Sequence, residues 1–182
     1  LLSTAFYEPT NETSINFSNS NYWQKVSLAF RRTCRGEEDL IKELSSLFFN
    51  QDGEPLSGNE LEELLRRLRV EYNRLFVGPA PPPCLPYESV YYLSRPKEEL
   101  GTVFGPPTLA MEKALREEKL AIALDHTQFA DHIALELEFM YYLLKRSSLP
   151  DRQRKEYGEK ARLFFSDHLI SWMPEFGEKL TK

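Results

Sequence analysis

Between Leu75-Phe76-Val77-Gly78 and Tyr87-Glu88-Ser89-Val90-Tyr91 the chain carries five prolines in eight residues, from Pro79 to Pro86. Each proline fixes φ and lacks an amide hydrogen, so this stretch can be neither a helix interior nor a central strand. Its flanks are apolar and aromatic, which is not the composition of a flexible linker. Two uses suit a stiff, nearly extended loop bordered by large rings: a strut packed on the core, or a preformed wall of a groove. Composition alone leaves both open and favours the strut.

Around this loop, helical periodicity dominates. Leu61, Leu64, Leu65, Leu68, Tyr72, Leu75 and Phe76 recur at three, four and seven, the clearest amphipathic stripe in the chain. Ser57 and Glu60 ahead of it fit a capping box, and Gly78-Pro79 ends it. Leu40, Ile41, Leu44, Leu47 and Phe48 form a second stripe, and Asp52-Gly53 signals a turn between the two. A helix is expected from near Ser94 or Pro96, stopped by Gly105-Pro106-Pro107. Thr108 caps the next. Asp131 to Lys145 is apolar on several faces, as in a central, buried helix. Pro150 opens a last long helix with Tyr157, Ala161, Phe164, Phe165, His168, Leu169 and Trp172 on its stripe, and Pro174 should kink or end it. Thr10 to Asn21, rich in Asn, Ser and Thr, reads as a loop. Sustained β-branched alternation is absent throughout. The expectation is an all-α, single-domain helical bundle over residues 1–182.

Size and charge narrow the function. At 182 residues the chain suits one well-buried domain. A net charge of −5 argues against nucleic acid as the main partner, because phosphate binding needs a clustered basic surface. The longest apolar runs are far below a membrane span. Cys34 and Cys84 are distant and make no zinc or redox pattern, which fits a cytoplasmic chain with free thiols. The opening residues, without Met, read as the tail of a truncated first helix.

Several short blocks carry a family resemblance. They are Tyr72-x-x-Leu75-Phe76-Val77-Gly78-Pro79 with Pro86-Tyr87-Glu88-Ser89-Val90-Tyr91; Asp131-His132 running to Glu136, Phe139 and Met140; Phe165-x-x-His168-Leu169-x-x-Trp172-x-Pro174-x-Phe176; and Leu1 to Pro9 as the end of a first helix. Together they span nearly the whole chain in order and resemble the TorD/DmsD/NarJ family of molybdoenzyme maturation chaperones. The pattern departs at Gln128-Phe129, where the family often has Glu-Pro. The resemblance implies a TorD-like bundle that binds the twin-arginine signal peptide, or an N-terminal segment, of a molybdenum-cofactor oxidoreductase and holds it for cofactor insertion before export. It implies a peptide site at Tyr72, Leu75, Phe76, Pro86, Tyr87, Glu88, Ser89, Asp131 and His132, with no cofactor, no metal and no catalysis. A homodimer is a further partner left open.

The residues themselves permit plainer readings. Asp131 suits the N-cap or first turn of the central helix, where its charge meets the positive end of the helix dipole. His132 and Glu136 stand four apart and can pair. Glu88 is the acid best placed to meet an incoming arginine. Tyr87 and Tyr91 can pack their rings and keep their hydroxyls wet. His168, on an apolar stripe, reads as a hydrogen-bonded core residue. Two rivals stay in view: an assembly chaperone for a reductase that is not exported, and a small metal-dependent enzyme on the Asp125-His126 and Asp131-His132 pairs. Against the second, His-Glu-x-x-His and paired Glu-x-x-His sets are missing.

Overall fold

The structure, a computed structural model, describes residues 3–33, 38–78, 82–92, 103–122, 128–150 and 152–181. Cys34, the Asp125-His126 pair, Pro79 to Pro81 and the helix start at Ser94 or Pro96 lie outside them. All described elements are helical; the only β pairing among them is two isolated bridges, Phe49 with Pro55 and Tyr87 with His132. The residues group into two compact units, Glu8–Asn73 and Leu1–Tyr7 with Arg74–Lys182.

The Glu8–Asn73 unit holds α1 (Asn11–Phe17), α2 (Ser20–Thr33), α3 (Glu38–Ser46) and α4 (Gly58–Tyr72). The expected loop at Thr10–Asn21 is therefore corrected to helix. Thr10 is the N-cap, and its hydroxyl accepts from the Thr13 amide at 3.2 Å. The Ser14 and Ser18 hydroxyls bond back to the carbonyls four residues earlier. That removes their competition with the helix, which is why these residue types ordinarily disfavour one. Phe17 then packs among Trp23, Tyr22 and Phe48. The Asp52-Gly53 turn forms as expected, with Gly53 at φ 78° and Asn50 Oδ1 taking the amides of Asp52 and Glu54. Two readings need correction. Ser57 is the N-cap of α4 but its side chain makes no capping bond. Of the α3 stripe only Ile41 and Phe48 are buried, while Leu40, Leu44 and Leu47 are exposed.

The second unit begins with a 3₁₀ turn, Ser3–Phe6, packed on α7, and resumes at Arg74, within a π-helical turn that spans Asn73–Val77. It then contains α5 (Glu88–Tyr91), α6 (Pro106–Glu117), α7 (Ile133–Ser148), α8 (Arg154–Phe164), a second π-helical turn (Phe165–Leu169) and α9 (Ile170–Leu180). Pro106 and Pro107 occupy the first turn of α6, where their missing amides cost nothing. Gly105 is therefore the N-cap and Thr108 sits three residues inside, not at the cap as expected. Likewise α8 starts at Arg154, not Pro150. Pro174 lies inside α9, which continues past it.

Two apolar clusters build the core of this unit. Met111, Phe139, Leu143, Tyr157, Phe164 and Leu169 join α6, α7 and α8. Cys84, Tyr91, Ile133, Trp172 and Phe176 form the other, with Phe6, Leu75 and Phe76 against it. Each fully buried large side chain there contributes about 1.5–3 kcal/mol. The proline-flanked segment is thus tied to the core: Cys84 is wholly buried, and its amide donates to the Leu75 carbonyl at 3.0 Å.

Candidate functional site

The two motifs that stand far apart in the sequence interlock in the fold. The Ile133 amide donates to the Pro86 carbonyl at 2.9 Å, and the Glu88 amide to the Asp131 carbonyl at 3.0 Å. Between these bonds Tyr87 and His132 pair as a β-bridge. Pro86 to Ser89 and Asp131 to Ile133 therefore form one short antiparallel clasp. It sets the starts of α5 and α7 side by side.

Asp131 is the hub of this clasp, and it is wholly buried. Its Oδ2 accepts from the Ser89 amide at 2.8 Å, in the first turn of α5. Its Oδ1 accepts from the Thr108 hydroxyl at 2.7 Å, in the first turn of α6. Thr108 Oγ1 in turn accepts from the Gly105 amide at 3.0 Å, and Ser89 Oγ accepts from the Phe104 amide at 3.1 Å. One carboxylate thus serves two helix N-termini, where backbone donors and dipole both favour negative charge. It does not cap its own helix. The N-cap of α7 is His132, whose Nδ1 accepts from the Ala134 amide at 3.2 Å. Accepting at Nδ1 places the neutral ring's proton on Nε2. The expectation that Asp131 caps the central helix is corrected accordingly.

His132 lies between two rings, stacked against Tyr7 and edge-on to Tyr87. Tyr87 also meets Phe129 edge-on, and Phe129 meets Phe104 in the same way. Phe104 and Phe129 are 48% and 44% exposed, so an aromatic row rises from the buried clasp to the surface. Phe104 has φ 75°, a conformation that bulky residues rarely take. The hydrogen bond that its amide donates to Ser89 Oγ helps hold it there.

A second buried polar group sits beside the clasp. Glu88 and Glu136 are 3% and 0% exposed. Glu88 Oε2 is 2.7 Å from His168 Nδ1, and Glu136 Oε2 accepts from the Trp172 indole at 3.1 Å. Oε1 of Glu136 is buried and meets no donor. The facing group is the Glu88 carboxyl, with which it can share a proton. Burial first, then the Glu88 and Asp131 charges, push the Glu136 carboxyl well above its ordinary range.

The expected site residues separate into classes. Pro86, Glu88, Ser89, Asp131 and His132 are brought together but buried. Tyr87 is half-buried and borders the exposed row. Leu75 and Phe76 are half-buried against the Trp172–Phe176 core. Tyr72 ends α4 in the other unit. Tyr91 is corrected: its ring stacks on Trp172, and its hydroxyl is buried without a partner rather than wet. Burial raises the Cys84 thiol pKa, so it stays protonated and unreactive at neutral pH. Sequence reasoning missed Thr108, Phe104 and Phe129. The position of Thr108 after Gly105-Pro106-Pro107 marks it only as a cap, and nothing local marks its bond to a carboxylate 23 residues on.

An all-helical fold whose Pro-Tyr-Glu-Ser and Asp-His segments clasp each other defines a class that sequence comparison names. The nitrate reductase delta subunit family matches residues 36–178, and this chain belongs to that family. It is 29% identical over 119 residues to the chaperone protein TorD of Photobacterium profundum, covering 64% of this chain and 53% of the relative. It is 23% identical over 184 residues to TorD of Vibrio cholerae, covering 100% of this chain and 77% of the relative. The chain spans about half the length of the first curated relatives it matches. A solved structure from Archaeoglobus fulgidus, described as a candidate redox enzyme maturation protein, aligns over 90% of this chain and 86% of its own, at 19% identity and TM-score 0.44. Among the described residues, no helix is long and apolar enough to cross a membrane.

Proposed function

We propose that this chain is a cytoplasmic maturation chaperone that captures the N-terminal segment of a molybdenum-cofactor oxidoreductase and keeps it from export until the cofactor is in place. Family membership supports the class. The observation that carries the binding mode is the aromatic row Phe104, Phe129 and Tyr87, exposed at its outer end and anchored on a buried, fully bonded clasp. Rigid rings held by a fixed scaffold lose little entropy when they bind, which suits peptide capture. In this reading Tyr87 contacts the peptide. Asp131, His132, Ser89 and Pro86 hold the clasp, and Leu75 and Phe76 back it. No covalent step is involved.

The test is a titration of labelled N-terminal peptides from a molybdoenzyme, with and without a twin-arginine pair. Tyr87→Ala and Phe129→Ala should each weaken binding about tenfold or more, as truncation of an aromatic anchor does. Phe165→Ala removes an equally exposed ring elsewhere and should change nothing. Parent-like binding by both variants would remove the row from the site. Equal affinity for both peptides would favour a client that carries no twin-arginine signal.

A further inference from the structure

Glu88, Glu136 and His168 come from α5, α7 and the π-helical turn after α8, yet they offer one donor atom each within 4.8 Å of one another. We propose that these three side chains form a binding site for a divalent ion of the zinc class, with one nitrogen and two oxygen ligands and one position open.

Four observations support it. The donor set is borderline-hard, imidazole with two carboxylates, which suits Zn(II) and its neighbours. The charge balances: two carboxylates and a dication leave a neutral site, the only kind a buried position tolerates at low cost. The buried Oε1 of Glu136 faces only another carboxyl, that of Glu88, so the pair needs either a shared proton or a cation between them. The outer shell is already built, since the Trp172 indole holds the other oxygen of Glu136. His168 also lines a surface cleft of about 210 Å³, whose wall carries Glu117, Asp167 and the Lys160–Glu118 ion pair beside apolar Phe139 and Phe164, and this cleft is the way in. Ligand atoms around a tetrahedral zinc stand roughly 3.3 Å apart, so the present spacing closes with side-chain shifts of about 1 Å. His168 Nδ1 then gives up its bond to Glu88 and turns its lone pair to the ion. The site does not depend on peptide capture. Its effect would be to lock α5, and with it the clasp, onto the C-terminal helices.

The experiment uses the full chain without a polyhistidine tag, stripped by a chelator and dialysed. Co(II) is titrated and followed by its d–d absorption, and Zn(II) by calorimetry and by elemental analysis after desalting. The expected result is one ion per chain, the intense visible bands of a low-coordinate Co(II) displaced by Zn(II), and a melting temperature raised by Zn(II). Glu136→Gln is the decisive variant. It keeps the size and gives Glu88 the donor that a shared proton would, so the metal-free protein should melt like the parent. It should lose at least 100-fold in affinity and show no melting shift with Zn(II). His168→Asn should lose the Co(II) bands as well. Glu138→Gln, an exposed carboxylate on the same helix, is the control and should bind like the parent. Less than one ion bound to the parent, or parent-like binding by Glu136→Gln or His168→Asn, overturns the site and leaves only a proton-sharing pair.

Discussion

Asp131→Asn isolates the buried carboxylate with almost no change in shape. The side-chain amide keeps one oxygen, which stays on the Ser89 amide, the donor that cannot rotate. Its NH₂ then faces Thr108 Oγ1. That oxygen already accepts from Gly105, so it must take a second donor while its own hydrogen points at nothing. One hydrogen bond to a charged acceptor is lost, and a buried hydroxyl hydrogen is left unmet, for a total cost of about 2–4 kcal/mol. In a chain of this size that lowers the melting temperature by roughly 5–12 °C. Urea unfolding followed by circular dichroism reads the free energy directly, with the slope against urea expected to hold constant. Thr108→Val removes donor and acceptor together. A double-mutant cycle with Asp131→Asn should show coupling of about 1 kcal/mol or more, since the two residues share one bond. Stability within 0.5 kcal/mol of the parent would refute the hub assigned to Asp131, as would additivity in the cycle.

Three further outcomes follow from the packing. Phe76→Ala removes a ring set between Phe6 and Phe176; it should destabilise by about 2–4 kcal/mol, less than for a fully buried Phe, with urea unfolding as the check. Glu118 is pushed up by burial, but hydrogen bonds from Lys160, Tyr157 and Tyr142 outweigh this and lower its pKa overall. Its contribution is therefore complete above the ordinary glutamate range and fades as pH falls from there through the lowered value. Glu118→Gln should flatten the acid limb of a stability-versus-pH curve. Trp172→Phe keeps the ring packing on Tyr91 and Phe176 but deletes the indole donor to Glu136; it should cost about 1–3 kcal/mol.

The helices were legible where burial follows a single stripe. Leu64, Leu65, Tyr157, Ala161 and Phe164 occupy the buried face their spacing implies, while Phe165, expected on the same stripe, is exposed because a π-helical turn begins there and brings Leu169 and Trp172 inward instead. Legibility failed in two kinds of place. Thr10 to Asn21 has poor helix formers whose hydroxyls are satisfied within the helix, so composition misled. The polar site failed for a different reason. Asp131 finds its partners 42 and 23 residues away, and Glu88 meets His168 at a separation of 80. Periodicity shows that a helix begins near Asp131. It cannot show that the carboxylate serves other helices' ends, because that depends on which N-termini the tertiary fold delivers.

The π-helical turn at Phe165–Leu169 sets the register of everything after it. Such a turn holds one residue more than a regular helix needs, and each residue advances the helical face by about 100°. Phe164 before the turn and Leu169, Trp172 and Phe176 after it are all buried, while Phe165 is exposed. Losing one residue between Phe165 and Asp167 would relax the turn to ordinary helix bonding, so local helix content would not fall. The rest of α9 would keep its face, because the turn already absorbs the surplus residue: with one residue fewer, Phe164, Leu169, Trp172 and Phe176 would follow one another at four, three and four, the spacing of an ordinary helix. In this part of the chain, then, the turn makes length negotiable by one residue, while the buried face on either side of it is not. A single-residue deletion between Phe165 and Asp167 should be about as mild as a substitution there, whereas a single-residue insertion, which the turn has no further slack to absorb, should rotate Trp172 and Phe176 off Cys84 and Ile133.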